Sequence, residues 1–217
     1  MPDHPSDKIW DEYDWERFLQ QQEQRTEKYM ELLEKYIDHP QRDELIAREM
    51  GWTHLLSGES RDWEDEVDEE FEKEHSPDSN HAGAQQDLTF SFERHPLYAQ
   101  TVALGADLDE IFGAMPVAAQ EHPAAVTIRS QATLAAAKLA AALNDDDVDE
   151  LGMSIAYLKR ALHALTISLE AALQLQSHQL LGQAQFERIR DRLFEIRNGI
   201  VSAMGELRAE FRRRYHR

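Results

Sequence analysis

From Pro96 onward, apolar residues recur at alternating steps of four and three, the spacing that lines one face of an α-helix. A first segment opens at Pro96 and places Leu97, Thr101, Leu104, Leu108, Ile111 and Met115 on one stripe, with Pro116 bending or ending it. A second opens at Pro123 and aligns Ile128, Ala132, Ala135, Leu139 and Ala142. Alanine at these positions predicts close approach of a neighbouring helix, because small side chains shorten the interaxial distance. A third, entered through the Asn144-Asp145-Asp146-Asp147 turn as its cap, carries Leu151, Ile155, Leu158, Leu162, Leu165, Leu169 and Ala172 up to a break at Gly182. A fourth carries Phe186, Ile189, Leu193, Ile196, Ile200, Ala203 and Leu207. Four such stripes on short connections predict an all-α fold with an antiparallel up-down-up-down four-helix bundle over residues 95–217.

The first half is patterned differently. Ser6 or Asp7 is expected to cap a helix beginning at Lys8, amphipathic at both ends and polar all round from Gln20 to Lys28. Asp38-His39-Pro40 stops it, and Pro40 opens a short helix that runs to Met50 and ends at Gly51. Trp52, Leu55 and Leu56 follow as an apolar cluster. Ser76 to Asp87 reads as a linker, and the alternation of Leu88, Phe90 and Phe92 suggests a short extended anchor. The expected organisation is an acidic helical N-terminal region over 1–75, a linker over 76–94 and the bundle. The bundle should fold when residues 1–92 are removed.

Charge sharpens this division. Residues 1–95 hold 27 acids and 10 bases, whereas residues 96–217 hold 15 acids and 13 bases. Between Glu59 and Glu74 stand ten acids against Arg61 and Lys73, with Trp63, Val67 and Phe71 recurring every four residues. That run predicts a solvated helix with one packed edge. Its functional reading is a docking site for a basic protein partner, carried by Trp63, Glu66, Val67, Glu69, Glu70 and Phe71. Trp10, Tyr13, Trp15 and Trp52 are further candidate anchors, or else pack the N-terminal region onto the helices that follow.

Candidate chemistry is sparse. The chain has no cysteine, which removes disulfides, thiolate metal sites and cysteine nucleophiles. A dimetal site needs Glu and Glu-x-x-His on inward positions of four helices, and the stripes hold none. His163 and Glu170 sit beside their stripe, while His39, His95 and His122 each precede a proline, where a capping or loop role is expected. No catalytic residue, metal ligand or cofactor is assigned. No apolar run approaches the roughly 20 residues of a membrane span, and a cytoplasmic protein that self-associates is expected. The fourth segment ends in an arginine-rich stretch with two aromatics. Arg208, Arg212, Arg213, Arg214 and Arg217 could contact nucleic acid, could clasp the acidic segment, or could simply suit the negative end of a helix dipole.

The C-terminal half resembles the four-helix proteins typified by rRNA intervening-sequence proteins and the accessory variability determinants of diversity-generating retroelements. The likeness runs through His95-Pro96-Leu97, Ser154-Ile155-Ala156, Ala161-Leu162, Leu169-Glu170 and Leu180-Leu181-Gly182 before Phe186. Of that family's Ser-x-x-x-Asn-Ile-Ala-Glu-Gly run, Ser130 alone is matched. The resemblance implies a ring-like homo-oligomer that contacts nucleic acid and has no enzymatic activity. Arg197-Asn198-Gly199-Ile200-Val201-Ser202 is similar to the ribonuclease motif of HEPN domains, with Ser202 where a histidine would stand. That resemblance implies a non-catalytic relative, since the imidazole is the proton carrier.

Overall fold

Apolar residues at helical spacing cannot leave water unless each stripe finds another, and the computed structural model shows how they do so. It describes residues 9–52, 90–144 and 150–215. Among these there is no strand; seven α-helices and one 3₁₀ turn account for the regular structure. They are α1 (Glu12–Lys35), α2 (Arg42–Met50), α3 (Pro96–Gly113), α4 (Val117–Gln120), α5 (Pro123–Ala142), α6 (Leu151–Ser177) and α7 (Gln183–Tyr215), with the 3₁₀ turn at Ser91–Arg94. The chain divides into two compact units, Met1–Arg17 with Thr89–Arg217, and Phe18–Leu88.

In the first unit α3, α5, α6 and α7 each pack against two of the other three, and α5 with α6 is the most extensive pair. Alanine explains that pair. Ala132, Ala135 and Ala142 of α5 are buried in one cluster with Ala161, Ala164, Ala171 and Ala172 of α6. Larger residues fill the interior: Leu104, Leu108 and Phe112 of α3, Ile128 and Leu139 of α5, Leu158 and Leu175 of α6, Ile189, Ile196 and Ile200 of α7. Each such side chain contributes about 1.5–3 kcal/mol on burial, several times what an exposed ion pair gives. Packing therefore decides this unit. Met115, Leu162, Leu169, Ala203 and Leu207, placed on the predicted stripes, are only half-buried at its margin.

Helix ends follow local chemistry, and several differ from expectation. α3 and α5 begin alike: the imidazole Nδ1 of His95 accepts the Leu97 N–H at 3.1 Å, and that of His122 accepts the Ala124 N–H at 3.2 Å. His39, also before a proline, accepts from the Gln41 N–H at 3.1 Å. His95 and His122 therefore cap their helices, whereas His39 closes the loop ahead of α2, whose N-cap is Gln41. α1 starts at Glu12, not Lys8. Asp11 Oδ1 accepts the Tyr13 and Asp14 N–H groups at 2.8 and 2.9 Å, so the cap falls several residues later than Ser6 or Asp7, which lie outside the described residues.

α6 is not capped by Asn144. Glu150 occupies the N-cap without a side-chain hydrogen bond, and Asp145 to Asp147 lie outside the described residues. The break before α7 is made by Gln179 rather than Gly182. Gln179 takes φ 61°, and the Leu180 N–H then reaches back to the Leu175 carbonyl at 2.9 Å. Gly182 instead precedes the first turn of α7, where its N–H donates to the Gln185 side chain at 3.0 Å. Phe90 and Phe92 do not alternate. The 3₁₀ turn stacks their rings at 5.5 Å, and Phe92 meets Tyr98 edge-on at 4.9 Å.

In the second unit α1 continues and α2 follows. Gly51, at φ 77°, ends α2, and the Trp52 N–H closes the turn on the Ala47 carbonyl at 2.7 Å. Glu49 gathers Lys35 and the Tyr36 hydroxyl, while its backbone carbonyl accepts from Lys28 at 2.7 Å. The Tyr29 and Trp52 rings stack at 5.8 Å, with Arg25 over the Trp52 ring. Leu55 and Leu56 lie outside the described residues.

Candidate functional site

The most chemically conspicuous side chains in the first unit are arginines, and eight of those described are paired with carboxylates. On the opening turns of α1, Glu12 and Glu16 stand four residues apart and therefore share a face. Glu12 takes Arg208 of α7 in a forked pair, with Nη2 to Oε2 at 2.7 Å and Nε within 3.2 Å. Glu16 takes Arg160 of α6 in a second fork at 3.1 and 3.2 Å. The hydrogen bonds that Arg208 donates to Glu12 raise its basicity further. Tyr13, between the two glutamates, receives the Lys159 ammonium over its ring at 4.7 Å.

Beside this double fork the backbone comes very close. A Cβ on Gly152, in the first turn of α6, would lie 2.4 Å from the Trp10 carbonyl oxygen and 3.0 Å from the Trp15 ring. The Trp10 and Trp15 rings meet edge-on at 5.0 Å. Glycine is required here for space, since its φ is not in the left-handed region. Of the residues expected as anchors or as packing, Trp15 is half-buried against Trp10 and Gly152, whereas Trp10 and Tyr13 remain exposed, at 40% and 62%.

The arginine-rich end of α7 is less open than its composition suggests. Arg208 belongs to the fork just described, and Arg213 and Arg214 both bind Glu210 one turn back. Those two hydrogen bonds, from Arg214 first and Arg213 second, hold the Glu210 carboxyl below the usual carboxylate range. Arg212 is exposed, and the Phe211 and Tyr215 rings meet at 4.9 Å. Arg217, and the acidic set Trp63, Glu66, Val67, Glu69, Glu70 and Phe71, lie outside the described residues.

Two further arginines tie α7 to α3. Arg188 donates to Asp107 at 2.6 Å and to Glu110 at 2.8 Å, and Arg192 adds a weaker bond to Asp107 at 3.4 Å. Asp107 is the one buried charged side chain among the described residues, and these two cations surround it. At the far end of α6, His178 Nδ1 lies 3.2 Å from His122 Nε2. Since His122 Nδ1 already accepts a backbone N–H, its Nε2 carries the hydrogen and donates to His178.

Chemically, these groups are built for ion pairing and for holding helices together. Two of the buried hydroxyls close on their own helices: Ser168 donates to the Ala164 carbonyl at 3.0 Å and Thr101 to that of Tyr98 at 2.6 Å. His163, Glu170, Arg197, Asn198 and Ser202 are exposed on α6 and α7. No group of three or more metal-ligating side chains occurs among the described residues. None of the helices described is long and apolar enough to cross a membrane. An open groove of about 580 Å³ runs between α3 and α5, where Gly105 faces Val126, Arg129 and Thr133.

Sequence reasoning did not find Glu12, Glu16, Arg160, Gly152 or Asp107. The i, i+4 glutamates in the first turn of α1 were a usable signal, and the partners 144 and 196 positions away were not. The fold and these contacts define an all-helical protein whose charged residues serve interhelical pairing. No protein family, curated protein or solved structure matches the chain.

Proposed function

We propose that the protein is a non-enzymatic helical interaction or scaffold protein. In this reading α3, α5, α6 and α7 form an antiparallel up-down-up-down bundle, and the chain self-associates, docks a basic partner through its acidic N-terminal region, or does both. The observation that carries it is the character of the interior. Every buried side chain between the four helices is apolar or a hydroxyl, except Asp107 at the edge, and Asp107 is taken up by Arg188 and Arg192. Catalytic groups need a concave, partly desolvated site in which polar side chains converge. Here the convergent polar groups are spent on one another at the surface.

A nucleic-acid-binding role for the end of α7 has less to draw on. Arg208, Arg213 and Arg214 would each have to leave a carboxylate before meeting a phosphate. Light scattering coupled to size exclusion tests the favoured reading. A mass at a multiple of 25.1 kDa, or retention of a basic peptide probe that salt abolishes, is expected. A monomer that ignores the basic probe overturns it, as does stoichiometric iron, manganese or zinc in the purified protein.

A further inference from the structure

α5 carries no acid, in a chain that holds 42 acids against 23 bases. Its outward face reads Val126, Arg129, Ser130, Thr133, Leu134 and Ala137, all exposed. Val126 is 52% exposed and Leu134 41%. The two hydroxyls on that face are turned back on their own helix: Ser130 donates to the Thr127 carbonyl and Thr133 to the Arg129 carbonyl, each at 3.0 Å. Lys138, the other base of α5, is drawn over the Tyr157 ring of α6 at 5.6 Å. A surface helix ordinarily sets charged groups opposite its buried stripe, and a helix apolar on nearly every side is one that is covered. On this face Arg129 is the one charged residue.

α3 forms the other wall of the groove. Val102, 55% exposed, and Asp109 stand three and four residues to either side of Gly105, so the three share a line. Gly105 leaves the groove open, since a Cβ there would meet nothing within 4 Å. Asp107 and Glu110 of α3 are taken up by Arg188. Asp109 and Arg129, which both line the groove, make no side-chain ion pair or hydrogen bond among the described residues.

One unpaired acid and one unpaired base beside an apolar, small-residue groove complement the same groove turned about a two-fold axis, where each contact occurs twice. An occupant of one sign fits worse. A strongly acidic helix finds only Arg129 to receive it and meets Asp109; a strongly basic one faces the reverse. Two chains of net charge −19 also repel, and α5 is where they approach at least electrostatic cost. We infer that the face formed by α3 and α5 is a surface for a second copy of this chain. The two α5 helices pack across the axis, Val126 and Leu134 leave water, and Asp109 of each copy pairs with Arg129 of the other. Small residues at Gly105, Ser130 and Ala137 permit the close approach, as alanines do between α5 and α6. This rests on the self-association in the proposed function and names its surface.

Sedimentation velocity on the full chain should give a mass of twice 25.1 kDa. Asp109→Arg and Arg129→Asp, each alone, set like charges opposite one another at both contacts and should weaken the dimer by roughly tenfold. Mixed in equal amounts, the two variants should recover it, because every contact between them then joins opposite charges. Gly105→Leu fills the groove without meeting its own chain. It should weaken the dimer by roughly tenfold and leave the denaturant midpoint of the monomer no lower, since leucine is the better helix former. The chain has no cysteine, so Thr133→Cys supplies a unique thiol, which should be modified more slowly as protein concentration rises. An assembly that survives both charge reversals and Gly105→Leu, a mixture that stays monomeric, or a mass other than twice that of the chain overturns this surface and leaves self-association standing. A wild-type chain that is monomeric at every concentration overturns self-association too, and only retention of a basic peptide then keeps the proposed function. A Thr133→Cys thiol protected equally at every concentration overturns the inference in favour of cover from within the chain.

Discussion

α6 and α1 are of similar length, 27 and 24 residues, yet α6 buries thirteen residues and α1 buries only Leu32 among those described. The contrast separates two ways of making a long helix. α6 is held by what surrounds it: Leu158, Ala161, Ala164, Leu165 and Ala172 are all removed from water. An isolated helix of this length is marginal without such packing. α1 relies on local devices instead. These are the Asp11 cap, acids at its positive end, and a few side chains near each end that pair with other elements. Between Gln20 and Lys28 it is exposed throughout. Length and helicity alone therefore say little about where stability resides.

The largest expected effect breaks the comparison at the core. Leu158→Ala or Ile196→Ala should cost about 2–5 kcal/mol, whereas truncating exposed Met30 of α1 should cost well under about 0.5 kcal/mol; denaturant titration reads both. Next comes the seat of the N-terminal turn. Gly152→Leu drives a side chain into the Trp10 carbonyl and the Trp15 ring, and should cost about 1–3 kcal/mol while red-shifting tryptophan emission. Arg160→Ala, which strips Glu16 of its partner where both side chains are mostly covered, should cost about 2 kcal/mol. Arg208→Ala should cost less, about 1 kcal/mol, because that guanidinium is more open to solvent.

Caps come next in size. His95→Ala should lose about 1 kcal/mol, and His95→Asn, which keeps an acceptor, should recover most of it. The smallest effect lies in the second unit. Hydrogen bonds from Tyr36 and then Lys35 hold the Glu49 carboxyl below its usual range. A depressed folded-state pKa contributes stability above the ordinary carboxylate range and loses it as pH falls through the folded value. Carboxyl NMR titration should therefore find Glu49 still charged when exposed glutamates have protonated, and Tyr36→Phe should bring it back toward them.

Much of the packing was legible because large aliphatic residues announce themselves by spacing. Leu104, Leu108, Ile128, Ile155, Leu158, Ile189, Leu193, Ile196 and Ile200 were placed inward by the 3.6-residue period and are buried. Small residues hid the rest. Gly152, Ala156, Ala161, Ala164 and Ser168 carry little hydropathy, yet they are buried because neighbouring backbone or side chains come close. Phe90 and Phe92 misled, since two aromatics two apart read as alternation while a 3₁₀ turn stacks them. The change in charge near His95 gave no sign that residues 9–17 pack with the C-terminal helices. Nothing local in Glu12 or Glu16 reports a partner more than a hundred residues away.

Amide hydrogen exchange along α1 in the full chain tests this account most directly. The turn from Tyr13 to Arg17, held by two arginine forks and seated on Gly152, should exchange slowly, in step with the first turns of α6. The exposed stretch from Gln20 to Lys28 should exchange far faster. Equal rates across the two stretches, whether both fast or both slow, would contradict a helix held only where it meets its partners.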